Sequence, residues 1–357
     1  ILHAHLNHKL NEDVTVALSD SASSDVLGPG PERLLKLLCY RFYREKESSF
    51  QESIQHSSSL IASGAFGSVY GNHHVETNQR VAIKVVPLPK TISNRSAIVD
   101  VFSEVSALEV LHDVEDVVAL VDFWVSPTCN AYCIAMKCHP KNLKMWRKGV
   151  ENGNPEKGDL FYKCLEYFEK VILAVDAVHE MGVTHYDVKC DNILITDQGE
   201  VRLVDFGEAS VRPGWNAQNV YNTRDRGTEC IKSPEMLTVC HAEDTNRPQY
   251  DRRRKIGTNA ASDVWSLGCL LYELLVGEFL FQDEDWTRFY CRLTGRGQQL
   301  IPDNARTALL DRFGSDGREI LELLQTTMLV RNPTRRISTK DLLRYIQKRK
   351  KKGETQS

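Results

Sequence analysis

Two aspartates and an asparagine stand close together in the run His185-Tyr186-Asp187-Val188-Lys189-Cys190-Asp191-Asn192. An apolar stretch follows at Ile193–Ile195, then a turn at Asp197–Gly199, then Val201-Arg202-Leu203-Val204-Asp205-Phe206-Gly207. On loops at the ends of short strands, Asp187, Asn192 and Asp205 supply hard oxygen ligands and a proton acceptor. Carboxylates beside apolar runs require partners or a function, so a purely structural reading leaves them unexplained. Upstream, Val81-Ala82-Ile83-Lys84 ends in a lysine on a strand otherwise made for burial. A buried ammonium must be paired, with a phosphate or with a carboxylate. Glu104, in the helical stretch FSEVSALEVL, can supply the carboxylate and has Leu108 one turn beyond it on the same face; Glu109 is the competing candidate. Before that strand comes Ile61-Ala62-Ser63-Gly64-Ala65-Phe66-Gly67-Ser68-Val69-Tyr70. Its glycines would let the backbone bring N–H groups close to phosphates, but the same run also reads as a hairpin tip.

These residues must be positioned by two kinds of architecture. From about Ser58 to Met136 the pattern is of short β-rich runs, at Ser68–Tyr70, Arg80–Val86, Val117–Val125 and Ala131–Met136, with one helix from about Ile98 to Leu111. Beyond Lys141 the chain reads as mainly helical. Phe161, Cys164, Phe168, Ile172, Val175 and Val178 form one buried face ending at Gly182. A second helix opens at Ser262 as N-cap and runs through Trp265, Leu267, Leu270, Leu271 and Leu274 to Gly277. A β-rich lobe followed by a helical one predicts an α+β, bilobal fold with a natural cleft. Gly149–Asp159 and Thr238–Ala260 read as polar insertions. The expected division is a flexible segment over 1–31, an amphipathic helix and linker over 32–57, a small lobe over 58–139, a larger lobe over 140–346 and a basic tail over 347–357. The helix within 32–47 either packs on the neighbouring lobe or binds a partner, since periodicity says only that one face is buried.

Composition sets bounds. The chain has 357 residues, 41% hydrophobic and 26% charged, with a net charge of −3 and a pI near 6.5. No whole-molecule positive field points to nucleic acid, although basic runs occur at Arg252–Lys255 and Lys348–Lys352. Such runs are solvated surface or a docking or nuclear-targeting signal. The ten cysteines lie in apolar segments without a paired CxxC framework and read as reduced core thiols. The opening segment lacks the features of a signal peptide, and no window carries about 18 uninterrupted apolar residues. These features predict a soluble chain of the cytoplasm or nucleus with no membrane span, and a start at Ile1 reads as an excerpt of a longer protein.

Order and spacing together resemble the eukaryotic protein-kinase family, serine/threonine type, over roughly Ser58 to Ile346. Gly64 and Gly67 match its glycine-rich loop, Val81–Lys84 its strand lysine, His185–Asn192 its catalytic loop and Asp205–Gly207 its metal-binding motif. Ser233-Pro234-Glu235 matches the end of the activation segment, Asp263 the anchoring aspartate and Arg336 the arginine expected to pair with Glu235. The resemblance implies a bilobal kinase fold using ATP and Mg²⁺ on protein substrates. It implies that Lys84, held by Glu104, contacts the α- and β-phosphates, that Asn192 and Asp205 hold the metal, that Asp187 accepts the substrate proton and that Lys189 stabilises the transferred group. Ala62, Ser63, Gly64, Ala65, Phe66, Gly67 and Val69 would cover the nucleotide, with Ala82 and Leu194 around the adenine. Met136 would be the gatekeeper, Lys137–His139 with Cys138 the hinge, and Leu108, Leu120, His185 and Phe206 a regulatory spine. Lys189 with Gly227-Thr228 implies serine and threonine acceptors.

Three positions depart from the family pattern. Ala62 replaces the first loop glycine, Tyr186 replaces the usual arginine before Asp187, and Glu208 follows the metal-binding motif at a variable position. A tyrosine cannot pair with a phosphate as arginine does, so basal activity is expected not to need phosphorylation at Tyr221 or Thr223. Ser210 and Thr228 are further acceptors in that loop, and Arg212, Arg224 and Arg226 are its own cations. The competing function is a pseudokinase-like ATP-binding scaffold; survival of Lys84, Asp187, Asn192 and Asp205 weighs toward turnover.

Overall fold

A computed structural model describes residues 59–64, 67–73, 78–88, 95–126, 130–152, 157–212, 214, 216–219, 227–243, 257–295, 297 and 299–354. The chain divides into two compact units, Ile1–Cys138 and His139–Ser357. The helix expected within 32–47, the loop residues Ala65 and Phe66, and the basic run Arg252–Lys255 lie outside the described residues.

The first unit is a five-stranded antiparallel sheet in the order β1-β2-β3-β5-β4. Its strands are β1 (Ser59–Ser63), β2 (Ser68–His73), β3 (Arg80–Pro87), β4 (Leu120–Ser126) and β5 (Ala131–Lys137), with helix α1 (Arg95–Val110) between β3 and β4. Alternation sorts the side chains by face. Val81, Ile83 and Val85 pack with Trp124, Cys133 and Ala135, so Ala82 and Lys84 take the opposite face, where Val69 is paired with Lys84 and Met136 with Ala82. Gly67 is required at its position, because a Cβ there would come within 2.4 Å of the Val85 oxygen.

The second unit begins with β6 (Lys141–Asn142), α2 (Leu143–Asn152) and α3 (Lys157–Glu180). It continues through short strands β7 (Val183–Thr184), β8 (Ile193–Ile195), β9 (Val201–Leu203) and β10 (Ser210–Val211) to α4 (Pro234–Glu243), α5 (Ala261–Val276), α6 (Trp286–Thr294), α7 (Asp303–Leu323) and α8 (Thr339–Glu354). The expected face of α3, from Phe161 to Val178, is buried throughout, and Gly182 ends the helix at φ 76° with its N–H on the His179 oxygen at 3.1 Å. Helix α5 is buried on all sides, from Ser262 to Leu275.

Helix α5 is fastened at both ends. At its first turn the fully buried Asp263 accepts from His179 at 2.8 Å and from two backbone N–H groups described below. At its last turn Arg147 donates to the Leu274 and Leu275 oxygens, and Arg312 to the Leu275 and Val276 oxygens. These cations satisfy carbonyls that have no helical partner and face the negative end of the dipole.

Two sequence expectations need correction. Residues 149–152 and 157–159 are not an insertion but the end of α2 and the start of α3, and 238–243 belong to α4. Ser262 is not the N-cap of α5: Ala260 holds that place without a side-chain cap, and the Ser262 hydroxyl donates to Glu235 Oε1 at 2.9 Å. The basic run at 348–352 is partly spent within the fold, with Arg349 paired to Asp316 and Glu319, and Lys350 to Glu169. Cys133, Cys138, Cys164, Cys190, Cys230, Cys269 and Cys291 carry free thiols, and among the described residues no helix is long and apolar enough to cross a membrane.

Candidate active site

In the first unit, the Lys84 ammonium lies 2.5 Å from Glu104 Oε2. Glu104 is 1% exposed on the buried face of α1, so between the two candidate carboxylates Lys84 takes Glu104 rather than Glu109. Ala62, Ser63 and Gly64 are exposed and Val69 is half-buried. The Gly64 N–H donates to the Gly67 oxygen at 2.9 Å, closing the turn between β1 and β2. Met136 is buried at the end of β5, and Cys138 beyond it is half-buried, with its N–H on the Arg80 oxygen at 3.3 Å.

In the second unit the chain leaving β7 is gripped by Asp263, which accepts the N–H groups of His185 at 2.9 Å and Tyr186 at 2.7 Å. His185 Nδ1 accepts the Asp187 N–H at 3.2 Å, which leaves Nε2 as the donor to the Val204 oxygen at 3.2 Å. The neutral Nε2–H tautomer satisfies both bonds. The His185 ring also packs on Phe206, with centroids 4.6 Å apart.

Asp187 is 5% exposed and its two oxygens have different duties. Oδ1 accepts the Thr228 N–H at 2.9 Å. Oδ2 accepts Lys189 Nζ at 2.7 Å and Asn192 Nδ2 at 2.9 Å. Lys189 Nζ also donates to Thr228 Oγ1 at 2.6 Å. This close approach needs Gly227, which has φ +80° and has the Tyr186 oxygen 2.3 Å from where a Cβ would stand. Asn192 spends its amide N–H on Asp187, whose backbone oxygen it also reaches at 2.9 Å. Its Oδ1 is the atom left to face a cation. The Val204 N–H bonds the Asn192 oxygen at 3.1 Å, so β8 and β9 carry Asn192 and Asp205 as neighbours. Asp205 is half-buried and left-handed, φ 66° and ψ 68°, and Leu194 is half-buried in β8.

Oxygen donors of this kind, one carboxylate and one amide oxygen, fit a hard cation that draws its other ligands from phosphates and water. Among the described residues no three His, Cys, Asp or Glu side chains gather as a metal cluster, and such a cation needs none.

Around this core lie contacts for which the sequence offers no local signal. Asp191 holds Lys144 of α2 at 2.8 Å. Burial works against the lysine's charge, but the Asp191 hydrogen bond and charge outweigh it and raise the Lys144 pKa. Glu273 of α5 is pushed above the ordinary carboxylate range by burial, only partly offset by the Cys190 thiol and Lys144. Burial also pushes the Cys190 thiol well up, so it is no nucleophile. Glu235 and Arg336 form a two-pronged pair, Nη1 to Oε1 and Nη2 to Oε2, both at 2.6 Å. The Tyr186 hydroxyl donates to the Thr258 oxygen at 2.9 Å.

A protein-family profile described as "Protein kinase domain" matches residues 55–346. A protein of Dictyostelium discoideum named "Probable serine/threonine-protein kinase" is 35% identical over 364 residues, covering 96% of this chain and 14% of the relative. CBL-interacting protein kinase 2 of Oryza sativa subsp. japonica is 26% identical over 280 residues, 78% of this chain and 54% of the relative. Hormonally up-regulated neu tumor-associated kinase homolog A of Xenopus laevis is 25% identical over 304 residues, 82% of this chain and 40% of the relative. The chain thus spans between about a seventh and about half of these relatives' lengths.

Proposed function

Because this chain belongs to the protein kinase family, we propose that it is an active enzyme that transfers the γ-phosphoryl group of ATP to serine and threonine hydroxyls of protein substrates. The observation that carries the reading is the closed network in which Thr228 and Asn192 converge on Asp187 while Lys189 bridges Asp187 and Thr228. Two hydrogen-bond donors on Oδ2 and one on Oδ1 aim the carboxylate and leave it able to accept a proton from a hydroxyl brought alongside. Lys189 contributes a fixed positive charge where negative charge develops on the transferred group. Thr228 narrows the floor beside Asp187, which favours a short hydroxyl side chain over a phenol.

Lys84, kept in place by the buried Glu104 carboxylate, is assigned to the α- and β-phosphates, and Asn192 and Asp205 to Mg²⁺. Bound Mg²⁺ would neutralise phosphate charge and orient the phosphates for in-line displacement. Ala82, Met136 and Leu194 are assigned to the adenine.

Incubation of the purified chain with labelled ATP, Mg²⁺ and a degenerate peptide library, with Asp187→Asn as control, tests the reading. Phosphoserine and phosphothreonine that vanish in the control are expected. A wild-type chain that binds ATP without transferring phosphate would favour the scaffold instead.

A further inference from the structure

Tyr186 is among the largest fully buried side chains, 1% exposed, and its backbone is left-handed at φ 66°. A non-glycine residue holds that conformation only where its surroundings over-determine it, and such residues cluster at working sites. Three contacts supply the determination. The Tyr186 N–H is held by Asp263 Oδ1 at 2.7 Å. Its carbonyl oxygen lies against Gly227, at 2.3 Å from where a Cβ would stand. Its hydroxyl donates to the oxygen of Thr258 at 2.9 Å.

Thr258 is itself buried, 1% exposed, and the next residue extends the connection. Asn259 Nδ2 donates to the Gln218 oxygen at 2.7 Å, its Oδ1 accepts the Ala261 N–H at 3.0 Å, and its carbonyl accepts the Ser262 N–H at 2.8 Å. The phenol therefore ties the residue before Asp187 to the segment that starts α5 and, through Asn259, to the residues following Asp205. Its carbonyl touches the glycine before Thr228, whose N–H in turn bonds Asp187 Oδ1 at 2.9 Å. A shift of the Tyr186 peptide would move Asp187 directly and Thr228 through Gly227.

We infer that Tyr186 is a positioning residue for phosphoryl transfer, acting through the hydrogen bond from its hydroxyl to the Thr258 oxygen. The inference rests on the kinase reading above. The bond is neutral and internal, with a backbone carbonyl as its acceptor, so it orders the catalytic loop without any anion. Removing the hydroxyl takes a hydrogen-bond donor from the buried Thr258 residue and an anchor from the strained peptide beside Asp187, which can then relax.

Three side chains at position 186 separate donation from packing. Tyr186→Phe and Tyr186→4-fluorophenylalanine remove the donor, the second while filling the hydroxyl's space. Tyr186→4-aminophenylalanine keeps a donor on the same axis. Both non-donors are expected to lower kcat by about tenfold or more with KM for ATP within about twofold, and the amino variant to recover kcat to within about threefold of wild type. Thermal melting accompanies each assay, and the fluoro variant decides the matter if Tyr186→Phe does not fold. Wild-type kcat in the fluoro variant overturns the inference and leaves the kinase reading standing, as does an equal loss in the fluoro and amino variants. A wild-type chain without phosphoryl transfer removes both.

Discussion

Thr228 meets Asp187 through its backbone, N–H to Oδ1 at 2.9 Å, and so leaves its hydroxyl for Lys189 Nζ at 2.6 Å. A Thr228→Ala change keeps the first contact and deletes the second, leaving Lys189 held by Asp187 alone. The expected result is a fall in kcat of about 10- to 100-fold with the fold intact, since one fixed donor or charge near the transferred group is worth that order. Thr228→Ser, which keeps the hydroxyl, should recover most of it. Phosphoamino-acid analysis of wild-type product should give phosphoserine and phosphothreonine; mainly phosphotyrosine would sink the assignment of Thr228 as the floor of the acceptor site.

Lys84→Met and Asp205→Ala should each lower kcat by at least about 10²-fold, because positioning and charge stabilisation carry most of phosphoryl transfer. Lys84→Met also takes an ion-pair partner from the buried Glu104 carboxylate, so it should cost stability as well, on the order of 1–3 kcal/mol. Urea titration alongside single-turnover kinetics separates the two effects. Unchanged turnover in either folded variant would remove the proposed site.

The Glu235–Arg336 pair makes a prediction about acid. Burial alone would raise the Glu235 pKa, but the charge and hydrogen bonds of Arg336 outweigh it, and the net shift is downward. A carboxylate with a lowered folded pKa contributes stability that is fully present above its unfolded pKa and is lost as pH falls through the folded one. Arg336→Ala should cost about 3–5 kcal/mol near neutral pH by leaving a buried charge unpaired. With the Arg336 charge gone, only neutral hydrogen bonds such as that from Ser262 are left to oppose burial, so the Glu235 pKa should rise relative to wild type. Unfolding free energies at neutral pH and below the ordinary carboxylate range should therefore draw together for variant and wild type. A constant difference across that range would show that Glu235 is not the group responsible.

Gly227→Ala should be among the most damaging small substitutions in the second unit. It forces a side chain into φ +80° and onto the Tyr186 oxygen, and the left-handed penalty alone is about 1–2 kcal/mol. Loss of most kcat at nearly unchanged KM for ATP is expected, and a wild-type kcat would contradict the close packing of Gly227 on the catalytic loop.

Control by loop phosphorylation can be checked directly. Tyr186 offers no cation for a phosphate and is buried with its hydroxyl engaged. The Tyr221→Phe/Thr223→Ala double variant and phosphatase-treated wild type should therefore both keep kcat within about tenfold of loop-phosphorylated wild type, a factor worth about 1.4 kcal/mol of barrier.

What the sequence made legible was chemistry with strict spacing and strands with strict alternation. Lys84 stands out as a charge on an apolar strand, and Asp187, Asn192 and Asp205 as oxygen donors at strand ends. The limits of α2 and α3 are obscured because Gly149, Asn152 and Gly158 are poor helix formers. Ser262 looked like an N-cap because serine caps helices by preference, yet its hydroxyl serves Glu235. The contacts of Tyr186 with Thr258 and of Lys144 with Asp191 join residues 72 and 47 positions apart. No periodicity or turn signal encodes such pairs; only the assembled fold brings them together.

The anchors at the starts of α4 and α5 bear on how this chain tolerates change in length. Glu235 anchors the start of α4 through Arg336, and Asp263 anchors the start of α5 through the backbone of His185 and Tyr186. The stretch between Glu243 and Gly257 thus joins two helices that are already held by other parts of the molecule. Because both helix starts are held by contacts outside the intervening sequence, an insertion there should leave the Glu235–Arg336 pair and the grip of Asp263 on the residues before Asp187 as they are.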